Sequence, residues 1–277
     1  MDYLTLNNGV KMPLVGFGTF MLNGKECAEA VATAIKTGYR MIDTAQAYGN
    51  EKEVGAGIAL SGVSREDLFL VTKINFTSYE NAEQAVTNSF ENLQTDYIDL
   101  LLLHWPFANY YKAWRALEKL HSQGKAKAIG VSNFEPDQLI DLIAYNKITP
   151  AVNQVETNLY CQRKTERTWM NKKSVAHIAY APLGQGNRNE MFEEAEVVEI
   201  AQKYDKTPAQ VSLRFLMQKN IAIIPRSTRP EHIKKNIDLF DFELTSKEMM
   251  QLDALDKNEP LIGRPETPEL VEFSLTW

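Results

Sequence analysis

Cysteine is scarce in this sequence. The 277 residues include only Cys27 and Cys161, which lie far apart and form no C-x-x-C motif. Such usage is typical of reduced thiols in a cytosolic protein and indicates neither a disulfide framework nor a metal site. The N-terminal stretch MDYLTLNNG lacks the basic and apolar regions of a signal peptide, and no apolar run approaches the roughly 18 residues that span a bilayer. We therefore expect a cytoplasmic protein without a membrane partner.

An excess of positive charge is absent as well. The chain has 30 lysines and arginines against 36 aspartates and glutamates, and its formal net charge is −6. This balance argues against a nucleic-acid-binding protein and against a polybasic membrane-binding surface. The fractions of hydrophobic residues (44%) and charged residues (24%) are those of an ordinary globular chain with a sizeable core.

Glycine-rich phosphate-binding motifs are also missing. Gly16 and Gly18 lack the third glycine of G-x-G-x-x-G, and no G-x-x-x-x-G-K-[ST] motif occurs. An open, doubly wound sheet normally carries the first of these motifs at its dinucleotide site. That fold is therefore the weaker alternative for this chain.

The sequence does contain a regular alternation of short β-like runs with helical patterns. The β-like runs comprise residues 15–17, 41–43, 68–73, 98–103, 126–132, 151–156, 178–180 and 222–225. The helical patterns comprise residues 28–37, 51–59, 82–93, 111–123, 136–145, 166–172 and 193–204. Several runs are apolar throughout, as in strands that helices cover on both faces. The alternation predicts the α/β class, a (β/α)8 TIM barrel, and a single domain over residues 1–277.

Turn and capping patterns refine this prediction. Residues 1–13 are expected to form an N-terminal β-hairpin that closes the bottom of the barrel, with Asn8-Gly9 in a type I′ turn. Capping-box patterns predict helix starts at Thr207 (TPAQ), Thr228 (TRPE) and Thr245 (TSKE). Residues 258–277 form a C-terminal tail near the barrel mouth, which either folds over the mouth or extends away from it.

Polar residues stand at the ends of three successive predicted strands. Asp43 ends the second strand, Lys73 ends the third, and His104 follows the four leucines of the fourth. Tyr48 lies in the loop after Asp43. Each residue alone has a structural explanation, such as a turn aspartate or a solvated lysine. Because the strands of a barrel place their carboxyl ends at one face, where active sites lie, we interpret the four residues as one catalytic group.

These four side chains are suited to acid–base chemistry on a carbonyl group. A free tyrosine titrates near about pH 10, and we expect Lys73 to lower the pKa of Tyr48 towards the working range. Asp43 would hold Lys73 in place, and His104 would donate a hydrogen bond to a substrate carbonyl oxygen. None of these groups supplies a hydride, so the reduction of a carbonyl needs a redox cofactor.

Eight motifs stand in order along the chain: GFGTF, GYRMIDTAQAYGNE, VTKI, LLLLHWP, KAIGVSNF, VNQVE, YAPLGQG and IIPRST. Together they resemble the aldo-keto reductase superfamily, particularly its small bacterial and protozoal members, from about residue 3 to residue 256. The resemblance implies a (β/α)8 barrel that binds NADPH without a Rossmann fold and reduces aldehydes and ketones to alcohols. It also implies that the catalytic tetrad is Asp43, Tyr48, Lys73 and His104.

The resemblance further implies which residues bind the cofactor. Ser132, Asn133 and Gln154 would hold the nicotinamide carboxamide, and Tyr180 would stack on the ring. The motif IPRST resembles a clamp for the adenosine 2′-phosphate, followed by a helix start that favours an anion. The implied cofactor-binding residues are Gly18, Thr19, Phe20, Asp43, Ser132, Asn133, Gln154, Tyr180, Pro182, Leu183, Gln185, Arg226, Ser227, Thr228, His232 and Asn236.

Two residues depart from the family pattern at the adenosine end. His232 stands where many members have an arginine, and it lacks the guanidinium fork. Lys235 stands where an acidic residue that contacts adenine is frequent, although Asn236 keeps the usual amide. We therefore predict NADPH as the preferred cofactor, through Arg226 and Ser227, with weakened discrimination against NADH.

The expected substrate is a small carbonyl compound, and the expected oligomeric state is a monomer. The predicted substrate-binding residues are Phe20, Tyr48, His104, Trp105 and Phe107, with residues 263–277 as a further wall. Trp105 and Phe107 have plain packing as an alternative role.

Two other functions stay open at this stage. One is a Schiff-base aldolase on the same barrel, with Lys73 as the nucleophile. The other is a non-catalytic nucleotide-binding subunit that keeps the reductase scaffold, although such a subunit has no need of an intact acid–base set.

Overall fold

The structure is a computed structural model that describes residues 2–186, 188–262, 267–274 and 276. Within these residues, β1 (Tyr3–Thr5) and β2 (Lys11–Pro13) form an antiparallel hairpin, and eight parallel strands follow. The parallel strands are β3 (Gly16–Gly18), β4 (Met41–Asp43), β5 (Phe69–Ile74), β6 (Ile98–Leu103), β7 (Ala126–Ser132), β8 (Val152–Glu156), β9 (Ala176–Tyr180) and β10 (Ala222–Ile223). Each pairs with the next, and a bridge between Val15 and Ile223 joins the last strand to the first. The predicted barrel is confirmed, and each predicted β-like run overlaps one strand.

Helices lie between and after these strands. They are α1 (Gly24–Thr37), α2 (Glu51–Ser61), α3 (Ala82–Leu93), α4 (Tyr110–Ser122), α5 (Pro136–Ala144), α6 (Lys164–Lys172), α7 (Arg188–Glu193), α8 (Ala195–Lys203), α9 (Pro208–Gln218), α10 (Pro230–Ile237), α11 (Ser246–Asp253) and α12 (Pro268–Ser274). The single helix predicted over residues 193–204 is wrong at its start, because α7 and α8 divide there. The sequence pattern also does not predict α12, which lies in the tail.

The N-terminal hairpin lies at the amino ends of the barrel strands. Asn7 Nδ2 donates to the carbonyl oxygen of Pro150 at 3.0 Å, just before β8, and Asn8 Nδ2 donates to that of Lys127 at 2.9 Å, in β7. The predicted type I′ turn is wrong, because Gly9 has a positive φ of 87° and Asn8 does not. Leu6 instead pairs with the residue after Gly9, which leaves a three-residue loop with glycine in the left-handed position.

Two of the three predicted capping boxes are confirmed, at Thr207 and Thr245. The one predicted at Thr228 is wrong, since the N-cap of α10 is Arg229 and its side chain caps nothing. Pro230 explains the shift: proline is favoured at the first helical position and keeps the residue before it extended. Arg229 accordingly has an extended backbone, with φ of −86° and ψ of 120°.

Strand β6 illustrates how the fold positions the site. All six of its residues are buried, because one face packs inside the barrel and the other packs under the helices. The apolar run ends at Leu103, and the next residue, His104, lies at the carboxyl face of the barrel.

Candidate active site

The buried centre of the site is an ion pair at the carboxyl ends of β4 and β5. Lys73 Nζ lies 2.5 Å from Asp43 Oδ1, with 1% and 2% of the two side chains exposed. Lys73 also donates to the carbonyl oxygen of Thr44 at 2.9 Å. Burial alone would lower the pKa of Lys73, but Asp43 and Tyr48 raise it above its usual value. Lys73 is therefore a stable ammonium ion at neutral pH.

Tyr48 reaches this pair from a short 3-10 helix, Gln46–Tyr48, in the loop after β4. Its Oη lies 3.3 Å from Lys73 Nζ. Burial raises the pKa of the phenol, Lys73 lowers it and Asp43 raises it, and the net direction is upward. Lys73 therefore lowers the pKa of Tyr48 as expected, but the expected net shift towards the working range is wrong, because burial outweighs it. Burial disfavours the phenolate strongly. The single ammonium of Lys73 favours it less, because that ammonium is already paired with Asp43. Tyr48 therefore keeps its proton at neutral pH.

His104 lies beside Tyr48 and is only 8% exposed. Burial, and then the positive charge of Lys73, hold the pKa of the imidazole well below its usual range. The rings of His104 and Tyr48 meet edge to face, with centroids 5.7 Å apart. His104 Nδ1 is buried and finds no hydrogen-bond partner among the described residues. The neutral ring carries one donor and one acceptor nitrogen.

Further polar side chains reach the same floor from β7, β8 and β9. Gln154 Nε2 donates to Asp43 Oδ2 at 2.7 Å, across the barrel. Asn133 has a left-handed φ of 63°, which asparagine tolerates, and its Nδ2 donates to the His104 carbonyl oxygen at 3.1 Å. Tyr180 Oη donates to Asn133 Oδ1 at 2.8 Å. Strands on opposite sides of the barrel are thus joined through Asp43.

These side chains form the floor of an open cavity of about 480 Å³ at the carboxyl face. The cavity is lined by Gly18, Thr19, Phe20, Asp43, Ala47, Tyr48, His104, Trp105, Ser132, Asn133, Gln154, Tyr180, Ala181, Gln185, Ile224, Ile262, Leu270 and Phe273. The floor is polar, whereas its rim, which we define as Phe20, Trp105, Ile262, Leu270 and Phe273, is apolar. A cavity of this kind can bind the apolar part of a small molecule above a proton donor.

Of the two aromatic residues predicted as walls after β6, only one lines the cavity. Trp105 lies at the wall, and the Phe107 ring stacks behind it with centroids 5.4 Å apart. Phe107 is 7% exposed and meets the Phe76 ring edge-on from the other side. The structure therefore places Phe107 outside the cavity, as a support for Trp105.

Comparison with known proteins identifies the family. The family model "Aldo/keto reductase family" matches residues 14–257. The chain belongs to this family. It is 44% identical to the glyoxal reductase of Bacillus subtilis (strain 168) over 96% of each chain. It is 42% identical to the morphine 6-dehydrogenase of Pseudomonas putida over 91% of this chain and 90% of that one. Family membership confirms the predicted enzyme class, an NAD(P)H-dependent oxidoreductase.

Solved structures of aldo-keto reductases share the fold. One, from a Medee basin deep-sea metagenome library, superposes with a TM-score of 0.92 at 39% identity and covers 95% of this chain and 98% of its own. Another, the Bombyx mori aldo-keto reductase in complex with NADP, gives a TM-score of 0.89 at 33% identity, with 95% of each chain covered.

The predicted adenosine-binding residues of this aldo-keto reductase are not among the residues that line the cavity. Arg226 is exposed and Ser227 is buried, in the segment between β10 and α10. A Cβ built on Gly18 would lie 3.8 Å from Arg226 Cβ, so this segment adjoins the cavity wall. His232 is half-buried on α10, and Asn236 is buried on the same helix.

Of the other residues predicted to contact the cofactor, some line the cavity and others do not. Gln185 lines the cavity, whereas Pro182 and Leu183, in the same loop after β9, lie away from its lining. Gly18 is a close approach between strands, because a Cβ there would lie 2.8 Å from the carbonyl oxygen of Ile224. Of the predicted tail wall, residues 263–266, 275 and 277 lie outside the described residues, while Leu270 and Phe273 line the cavity.

Sequence reasoning missed residues that support the site. Asn50 Nδ2 donates to the carbonyl oxygens of Thr19 and Leu22, both at 2.8 Å, and its Oδ1 accepts from Thr44 Oγ1 at 2.9 Å. These bonds connect the loop that carries Tyr48 to the first barrel loop. The only signal for Asn50 was its place in the motif YGNE.

The described residues contain neither a metal-binding cluster nor a membrane-spanning helix. No group of three or more His, Cys, Asp or Glu side chains that could hold a metal ion occurs in the described part of the chain. Among the helices of those same residues, none has the length and apolarity that crossing a membrane requires.

Proposed function

We propose that this aldo-keto reductase reduces aldehydes and ketones to alcohols, with NADPH as the preferred hydride donor and Tyr48 as the general acid. The observation that carries the proposal is the contact chain from Asp43 through Lys73 to the Tyr48 hydroxyl. This chain ends at the floor of the cavity, beside the neutral ring of His104. A proton donor stabilised in this way can act where negative charge develops on a carbonyl oxygen.

The raised pKa of Tyr48 suits the direction of reduction. The phenol keeps its proton while the substrate binds, and the buried ammonium of Lys73 stabilises the phenolate that forms when the proton leaves. His104 would donate a second hydrogen bond to the same carbonyl oxygen and orient it. Water at the open mouth can then return a proton to Tyr48.

The polar wall of the cavity fits a nicotinamide cofactor. The unpartnered His104 Nδ1 and Asn133 Oδ1, which accepts from Tyr180 and can accept once more, offer hydrogen-bonding capacity to a carboxamide, and Ser132 and Gln154 line the cavity beside them. When bound, the nicotinamide supplies the hydride to the carbonyl carbon. At the adenosine end we propose that Arg226, Ser227 and Thr228 favour the 2′-phosphate.

The wider cofactor assignment rests on the family pattern. Because His232 and Asn236 flank the adenosine end without a guanidinium fork, we propose that NADH is also accepted at lower efficiency.

The surroundings of Lys73 argue against the Schiff-base aldolase. Its ammonium already donates to Asp43, to the Thr44 carbonyl oxygen and to Tyr48. These acceptors raise its pKa, whereas a Schiff-base nucleophile must present a free lone pair.

The proposal is tested by following NADPH oxidation against a panel that contains glyoxal, an aromatic aldehyde and a ketone. We expect turnover that depends on the carbonyl compound, a lower kcat/KM with NADH, and no covalent trapping by borohydride. NADPH binding without turnover on any member of the panel would support the non-catalytic binder instead. Borohydride trapping at Lys73 would support the aldolase.

A further inference from the structure

A second buried carboxylate lies at the carboxyl face, outside the group just described. Glu156 ends β8, two residues after Gln154, so the two side chains project from the same face of the strand. Glu156 is completely buried, with 0% of the residue exposed. Burial of a carboxylate is unfavourable unless hydrogen bonds or a counter-ion compensate it.

The compensation for Glu156 comes mainly from the C-terminal part of the chain. The backbone N–H of Leu261 donates to its Oε1 at 2.6 Å, and that of Ile262 donates to its Oε2 at 3.1 Å. Asn158 Nδ2 adds a longer bond at 3.3 Å. No cation lies within ion-pair distance of this carboxylate among the residues that the structure describes. Arg163 donates to the Glu156 backbone oxygen and pairs with other carboxylates.

Residues 256–259 form further hydrogen bonds with the loop after β8. The N–H groups of Lys257 and Glu259 donate to the carbonyl oxygen of Tyr160, at 2.8 and 3.4 Å. Asp256 Oδ1 accepts from the N–H of Gln162 at 3.1 Å. The loop after β8 therefore forms a platform for residues 256–262.

Beyond this platform the chain supplies the apolar rim. Ile262, whose N–H binds Glu156, lines the cavity, as do Leu270 and Phe273 of α12. A substrate side chain that enters the cavity would meet these residues as well as Phe20 and Trp105. Ile262, on this side of the rim, is thus fixed directly to the barrel at Glu156.

We propose that Glu156 is a positioning residue that sets the affinity for carbonyl substrates with a bulky apolar group. It does so through the C-terminal segment, which we define as residues 257–262 and α12. The buried carboxylate binds two consecutive backbone amides and thereby holds Ile262, Leu270 and Phe273 over the cavity. Small aldehydes, which contact only the floor, do not depend on it. This proposal rests on the proposed function, since it concerns the substrate of the same site.

The test compares Glu156→Gln with the wild type. Glutamine can accept from one amide only and turns its own NH2 group towards the other, so one charge-assisted bond is lost. We expect hydrogen–deuterium exchange in residues 257–262 to become about tenfold faster, and KM for a bulky apolar aldehyde to rise about tenfold. KM for glyoxal, kcat for both substrates and the Kd of NADPH should stay within about twofold.

Three further variants keep the test decisive. Glu166→Gln removes a carboxylate on the other side of Arg163 without touching the C-terminal segment, and we expect neither readout to change. Glu156→Asp retains the charge but withdraws the oxygens, and it replaces Glu156→Gln if that variant fails to fold. Leu270→Ala should add little to KM in the Glu156→Gln background, because the segment is then already displaced.

The outcomes separate this proposal from the proposed function. Unchanged exchange in residues 257–262 would overturn the role of Glu156 as a clamp, whatever the activity. Faster exchange with an equal KM change for both aldehydes would overturn the role in specificity. A wild type without turnover on any carbonyl compound would refute the proposed function, while the exchange result would still decide whether Glu156 holds the segment.

Discussion

The floor and the rim of the cavity are built in different ways. Asp43 and Lys73 stand on barrel strands, are almost fully buried and bind one another directly. Phe20 and Phe273 stand on segments that connect or follow the barrel elements and are 44% and 59% exposed. The floor is thus part of the core, whereas the rim is attached to it from outside. We infer that the two can be perturbed separately.

The largest difference between variants of the floor and variants of the rim is expected in the free energy of unfolding. Lys73→Met leaves the Asp43 carboxylate buried without its partner, and the free energy of unfolding should fall by ~3–5 kcal/mol. Adding Asp43→Asn should recover much of this loss without restoring turnover. Urea unfolding of both variants measures the effect. A loss below ~1 kcal/mol for Lys73→Met would mean that the floor is not integrated into the core.

The pH dependence of reduction should reflect the floor alone. In the proposed mechanism Tyr48 acts in its protonated form, and burial raises its pKa, so kcat/KM should stay constant through neutral pH and fall only above the ordinary tyrosine pKa of about 10. Because the pKa of His104 lies well below 6.5, no inflection should occur near that value. A pH–rate profile on a small aldehyde tests both points, and an inflection near pH 6.5 would contradict the neutral imidazole.

The smallest effect is expected at the rim. Phe273→Ala removes a partly exposed ring, so KM for a bulky apolar aldehyde should rise by about three- to tenfold, with kcat and stability nearly unchanged. KM for glyoxal should not change. A fall in kcat comparable to that of a floor variant would show that rim and floor are coupled.

The sequence predicted those parts of the site that short-range patterns determine. The alternation of β-like runs and helices predicts the barrel, and a polar residue at the end of an apolar run predicts where Asp43, Lys73 and His104 lie. Glu156 carries the same signal, since it ends a buried strand, but its motif VNQVE predicts only the neighbouring Gln154 as a site residue.

Other features depend on information that no local pattern contains. The pKa of Tyr48 is a balance between burial and the charge of Lys73, and the amount of burial follows only from the folded chain. The contact between Glu156 and Leu261 joins residues 105 positions apart. Trp105 and Phe107 are both aromatic residues just after β6. Only the packing of the folded chain places Phe107 behind Trp105.

We propose that the Tyr48 hydroxyl delivers the proton to the substrate, and that the residues around it do not bind the adenosine end of the cofactor. Tyr48→Phe tests it most directly, because the ring and its packing are kept and only the hydroxyl is lost. We predict that kcat/KM for a good aldehyde falls by about a thousandfold, while the Kd of NADPH, measured by quenching of protein fluorescence, stays within about twofold. A variant that keeps more than about a tenth of wild-type turnover would contradict the account.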